Sequence, residues 1–227
     1  QPEYVRKGEN RTRWLWRFDT PEKYQKSVKG YYRMISGVDL EIGKIRTLLK
    51  EKGIDKNTII IFLGDNGYFL GERQLADKWL MYDQSLRVPM IIYDPRNSSH
   101  KIVKKEALNI DIAPTIFGFA GLKQPKTWQG INLSNYSKSS SPAHKRVDFL
   151  CEHLWKVDII PSSEGFRTKK WKYLRYRDDL THEELYDLVN DPLEKINLSK
   201  KKKYKFVLEQ MREKMIKKIA ALEASRI

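Results

Sequence analysis

The sequence predicts an α/β fold that gives way to a small antiparallel sheet with one helix, an α+β arrangement. Three observations predict it. Tyr24, Val28, Tyr31, Ile35, Val38, Ile42, Ile45 and Leu49 alternate steps of four and three, which makes a single apolar stripe along one long helix. Residues 58–63 (TIIIFL) and 88–93 (VPMIIY) are apolar at nearly every position, as in strands covered on both faces. Past residue 145, short β-prone runs at 146–152, 165–168, 171–177 and 184–188 precede a second amphipathic helix at about 202–224.

In chain order, residues 1–19 read as an edge strand or a loop, because Trp14, Trp16 and Phe18 alternate with polar residues. Arg6, Lys7, Arg11, Arg13 and Arg17 in this stretch suit a solvated surface, or a surface facing an anionic substrate. Thr20-Pro21-Glu22 starts the long helix with an N-cap hydroxyl, a proline at the first helical position and an acid in the first turn. Gly53 closes it. Asp94-Pro95-Arg96-Asn97 turns the chain after the second strand. Residues 108–120 read as a short helix with Asp111 as N-cap and Pro114 in the first turn. Residues 134–145 (SNYSKSSSPAHK) lack apolar periodicity and mark a boundary between a domain at 1–135 and another at 146–227. Strands flanking Lys169-Lys170 form a hairpin, and Asp191-Pro192 turns out of the last strand. Tyr204, Leu208, Met211, Met215, Ile219 and Leu222 stripe the final helix, with the methionines packing.

At 227 residues and 40% apolar, the chain is long enough for one large domain or two small ones. A net charge of +15 suits an anionic polysaccharide or nucleic acid. The sequence has none of the aromatic, zinc-finger or basic-zipper patterns of nucleic-acid modules, which sets nucleic acid aside. The single cysteine, Cys151, excludes an intramolecular disulfide and a Cys/His zinc cluster. No stretch is long enough to span a membrane. Gln1 is not an initiator and no signal peptide follows it, so the expected start is a processed or truncated end.

The chemistry centres on residues 58–78, TIIIFLGDNGYFLGERQLADK. Ligands of open α/β sheets bind just beyond the C-terminal ends of the strands. Asp65 and Asn66 fall there, and a carboxylate beside an amide carbonyl suits Ca²⁺ or Mg²⁺. Asp-Asn-Gly is equally the chemistry of a plain turn.

The flanks extend the pattern. GDNG, Gly71-Glu72-Arg73, Ala76-Asp77-Lys78-Trp79, Tyr82-Asp83 and Ser85-Leu86-Arg87-Val88-Pro89 together resemble the second half of a type I sulfatase, in the alkaline-phosphatase superfamily. Residues 31–49, the DIAPT run from Asp111, Gly130 to Leu133, and RTKKWKYLRY with EELYDLVNDPLEKINL extend the resemblance over nearly all the chain after about residue 20. It implies part of an alkaline-phosphatase-like sulfatase sandwich followed by that family's C-terminal subdomain. It implies metal ligation by Asp65 and Asn66, and contact of Lys78 with the sulfate and its leaving oxygen. Segments such as Glu152-His153-Leu154-Trp155 and Trp171-Lys172-Tyr173 look most like mucin-desulfating or N-acetylglucosamine-6-sulfatases. On that resemblance His153 and Glu152 are candidates for sugar hydroxyls, with Arg73 able to join them. His153 reads equally as a structural histidine, and Arg73 as a partner of Glu72 or Asp77.

The family's nucleophile is a formylglycine made from a C/S-x-P-S/A-R motif. Cys151 is followed by Glu-His-Leu-Trp. Ser140-Ser141-Pro142-Ala143-His144 has histidine where arginine is required. The family's early Asp pair is also absent, since Asp178-Asp179 falls in the C-terminal hairpin region. The expectation is therefore half a sulfatase: inactive alone, weak in Ca²⁺ (or Mg²⁺) binding, and partnered by a missing N-terminal half of the same protein. Its expected substrate is a sulfated carbohydrate, and its expected location is the bacterial periplasm or exterior, or a lysosome or exterior in a eukaryote. Two alternatives stand beside it: a phosphodiesterase or phosphonate hydrolase of the same superfamily, and a non-catalytic module that binds sulfated glycans.

Overall fold

The computed structural model describes residues 3–97, 100–136, 146–155 and 159–225. The SSPAH segment and most of the serine-rich stretch lie outside the described residues. Two compact units interleave along the chain. Unit 1 comprises Gln1–Ser98, His153–Ser163 and Tyr176–Asp178, and unit 2 comprises Ser99–Glu152, Glu164–Arg175 and Asp179–Ile227.

Unit 1 opens with two short helices, α1 (Glu3–Lys7) and α2 (Glu9–Arg17), where a strand or loop was expected. The period-two spacing of Trp14, Trp16 and Phe18 misled. The face of α2 that engages the protein is polar, through Asn10, Arg13 and Arg17 at helical spacing.

The long helix α3 (Pro21–Glu51) starts where its local signals place it, with Thr20 Oγ1 accepting from Lys23 N. At its end Gly53 takes φ +69°. Gly53 N donates to Lys50 O and Ile54 N to Leu49 O, the paired bonds of a Schellman cap. None of its residues is fully buried.

Strand β1 (Ile60–Leu63) pairs antiparallel with β4 (Met90–Tyr93), Leu63 opposite Met90. The expectation of strands covered on both faces does not hold within these residues. β1 is half-buried throughout, and in β4 Ile91 and Tyr93 are 60% and 47% exposed. Between them runs a small hairpin, β2 (Phe69–Leu70) with β3 (Ala76–Asp77), and then a helical turn, α4 (Asp83–Leu86).

In unit 2, α5 (Ile112–Phe119) follows a 3-10 turn at Asn109–Asp111. Asp111 precedes α5 but its side chain does not cap that helix. Fully buried, it instead accepts from Leu108 N and Ile131 N and pairs bidentately with Arg146. Thr115 Oγ1 accepts from Leu133 N, so the DIAPT run and the Gly130–Leu133 stretch are tied together by side-chain-to-backbone bonds.

Strands β5 (Asp148–His153), β6 (Ser163–Thr168), β7 (Trp171–Tyr176) and β8 (Asp179–Asp187) form a four-stranded sheet in that order. Helix α6 (Lys205–Ala224) packs on it. Phe166, Tyr173 and Leu185 of the sheet meet Leu208, Met211 and Met215 of the helix, so the methionines are packing residues. The same sheet buries an ion pair, Lys172 with Glu194, at 2.5 Å.

Candidate functional site

The site is built on the end of β1. Gly64 follows the strand, and Asp65 Oδ1 accepts from Asn66 N at 2.8 Å, a local turn bond. Gly67 is required for a close approach. A Cβ there would lie 2.2 Å from the carbonyl oxygen of Gln84, and Gly67 N donates to Ser85 O. This contact explains why GDNG and SLRVP occur together: the turn after β1 is seated on the backbone of α4.

The hairpin then returns the chain. Phe69 pairs with Asp77 and Leu70 with Ala76, so the residue after Asp77 is carried back beside the turn. There the Lys78 ammonium donates to Asn66 Oδ1 at 2.7 Å. Asp65, Asn66 and Lys78 are thus brought together across twelve residues of sequence.

The backbone around Lys78 is unusual. Arg73, Gln74, Asp77 and Trp79 all have positive φ, from 57° to 83°. Side chains disfavour that region, and such residues persist only where surrounding contacts hold them. Here Arg13 Nη1 donates to Asp77 Oδ2 at 2.5 Å and Arg17 Nη1 to Oδ1 at 3.3 Å. The Tyr68 phenol faces the same carboxylate. Burial first, and then this carboxylate, push its pKa up to about 12. The Asn10 amide donates to Ala76 O at 2.7 Å and to Lys78 O at 2.8 Å. None of these holding residues was singled out as a site residue from sequence. The signal available was the run of charged and amide residues at helical spacing in a stretch read as non-helical.

Arg13 and Arg17 therefore take up Asp77, the acid nearest Lys78 in sequence. Among the described residues no carboxylate lies in ion-pair range of Lys78, so its charge is directed at an amide oxygen.

The remaining candidates stand apart in their contacts. Arg73 lays its guanidinium over the Tyr82 ring at 4.0 Å. Glu152 and His153 are consecutive on β5, so their side chains leave opposite faces of the sheet and do not face one ligand together. Glu152 is exposed. His153 is half-buried, its Nε2 has no hydrogen-bond partner among the described residues, and burial lowers its pKa from the ordinary value.

Asp65 and Asn66 fit a hard divalent cation in kind but not in number. Such an ion takes about six or more oxygens. The described residues hold no cluster of three His, Cys, Asp or Glu side chains that adds to them. Asn66 Oδ1 is also occupied by the Lys78 ammonium.

The profile of the family described as Sulfatase matches residues 3–122. That described as N-sulphoglucosamine sulphohydrolase, C-terminal, matches residues 71–221. An N-acetylglucosamine-6-O-sulfatase of Bacteroides thetaiotaomicron is 32% identical over 187 residues, 80% of this chain and 34% of that protein. A solved structure in complex with its substrate D-glucosamine-2-N,6-O-disulfate superposes with a TM-score of 0.76 at 29% identity, over 90% of this chain and 41% of the other. A phosphonate monoester hydrolase of Agrobacterium radiobacter superposes with a TM-score of 0.80 at 25% identity, over 92% of this chain and 43% of the other. The chain spans less than half the length of each of these relatives.

Proposed function

The chain belongs to the sulfatase family, and on that premise we propose that it carries one side of a site that hydrolyses sulfate esters of carbohydrates. The observation that supports this most directly is the Lys78 ammonium, aimed at the Asn66 amide oxygen and not neutralised by a carboxylate. A sulfate ester bears negative charge that grows on the leaving oxygen as the S–O bond breaks. A fixed ammonium at that oxygen acts on rate more than on binding.

Asp65 and Asn66 would hold a divalent cation, Ca²⁺ or Mg²⁺. Bound there, it would supply positive charge to the sulfate oxygens. Lys78 would release Asn66 Oδ1 and turn to the ester. The proposed nucleophile, a formylglycine, and the remaining metal ligands would come from outside this chain, which spans less than half of its relatives' length. The exposed apolar residues of α3 and of the β1–β4 pair are the surface proposed to receive that part. They include Met34, Leu40, Ile91 and Tyr93. The substrate proposed is an N-acetylglucosamine-6-sulfate. Its support is the relative active on that class and the structural relative bound to a 6-O-sulfated glucosamine.

The fold is shared with a phosphonate monoester hydrolase, so a second reading keeps the site and changes the ester. A direct assay separates them: the complete protein is given N-acetylglucosamine-6-sulfate and, in parallel, a phenyl phosphonate monoester. Preferential sulfate release supports the proposal. Preferential phosphonate turnover transfers the site to the second reading. Turnover of neither, with retained binding of sulfated glycan, makes the protein a binding module.

A further inference from the structure

Lys78 sits in a backbone that its own residues do not favour. Asp77 on one side has φ +66° and Trp79 on the other has φ +83°. A side chain placed by such a backbone points where the holding contacts send it. One buried side chain grips the carbonyls of the residues on both sides of Asp77. Asn10, 3% exposed on α2, uses a single amide nitrogen to donate to Ala76 O and Lys78 O. Carbonyls two residues apart come within reach of one donor nitrogen where the chain bends between them, as it does at Asp77 with φ +66°. The grip therefore fixes the direction in which the Lys78 side chain leaves the backbone.

We propose that Asn10 is a positioning residue for Lys78. Its amide holds the bend at Asp77 and so aims the Lys78 ammonium at the Asn66 side of the site. This rests on the reading of Lys78 as the sulfate contact. Asn10 does not touch the substrate. It acts through the peptide groups of Ala76 and Lys78, while the neighbouring Arg13 and Arg17 hold the Asp77 carboxylate. Asparagine suits the role because it is short and stiff and supplies an N–H₂ group.

Two variants test it. Asn10→Asp keeps the size and removes both donations, and Asn10→Ala removes the group. In the 227-residue chain, the Lys78 ammonium should give a slowly exchanging NMR signal that both variants abolish, with the methyl signals of the Leu75 and Leu80 core unmoved. In the complete protein, Asn10→Ala should lower kcat about tenfold or more, with KM within about twofold, as expected when a reacting group is displaced by a fraction of an ångström to an ångström. Adding it to Lys78→Ala should cost nothing further. An unchanged Lys78 signal in Asn10→Asp overturns the proposal, as does an additive double variant. If the signal is lost while Lys78→Ala leaves kcat intact, the positioning stands and the sulfate role of Lys78 falls.

Discussion

The Lys78 ammonium and the Asn66 amide oxygen meet at 2.7 Å, twelve residues apart in sequence. The contact joins a group suited to an anion with a group suited to a cation. Its consequences are measurable in the isolated chain as well as in the complete protein.

Metal binding by the chain should be weak. Asp65 and Asn66 supply two of the about six or more oxygens that Ca²⁺ takes, and the ion must displace Lys78 from one of them. Titration calorimetry should show no binding in the micromolar range. Tight binding that survives Asp65→Ala would place the ion elsewhere.

Gly67→Ala should destabilise unit 1, because the new methyl meets the Gln84 carbonyl, a backbone atom. The expected cost is about 1–3 kcal/mol, as for other overpacked sites, read from a denaturant midpoint. A melting curve identical to the wild type would contradict the close seating of this turn on α4.

Arg146→Met should cost about 3–5 kcal/mol of stability, the usual result of removing one partner from a buried ion pair. Asp111 is fully buried and the Arg146 side chain is 9% exposed. Urea unfolding of the variant measures it. A loss under about 1 kcal/mol would class the pair with exposed salt bridges.

His153 should titrate below the ordinary value of 6.5, because burial disfavours its cation. Protonation then favours the unfolded chain. The stability tied to neutral His153 is intact above 6.5 and is lost as pH falls through the lower folded value. An NMR titration of its ring protons gives the midpoint directly. A midpoint above 6.5 would mean that an acidic group lies against the ring.

Legibility in the sequence followed the range of the interaction. Helix α3 was readable because Thr20, Pro21 and Gly53 cap it from adjacent residues. Lys78 was readable as a site residue through the resemblance, and the β2–β3 hairpin supplies its physical route back to Asn66. Helix α2 was not, since its inward face carries Asn10, Arg13 and Arg17, whose contacts around Asp77 lie 60 or more residues away. Asp111 looked like an N-cap because nothing nearby reveals Arg146, 35 residues further on. The openness of β4 was equally hidden. An apolar run states what a strand prefers to bury and not which segment buries it.

The chain alone should not turn over 4-nitrophenyl sulfate, because it lacks a C/S-x-P-S/A-R nucleophile motif. Clean, contaminant-free turnover by the purified chain would require a nucleophile among its own residues.

The most direct test of the account is the rate of sulfate release by the complete protein carrying Lys78→Ala. Loss of one charge-stabilising donor should lower kcat/KM by roughly a hundredfold or more, mainly through kcat. Lys78→Arg should recover only part of it, because a planar fork replaces a compact charge. Unchanged kcat/KM in Lys78→Ala would contradict the account and move the sulfate pocket away from this loop.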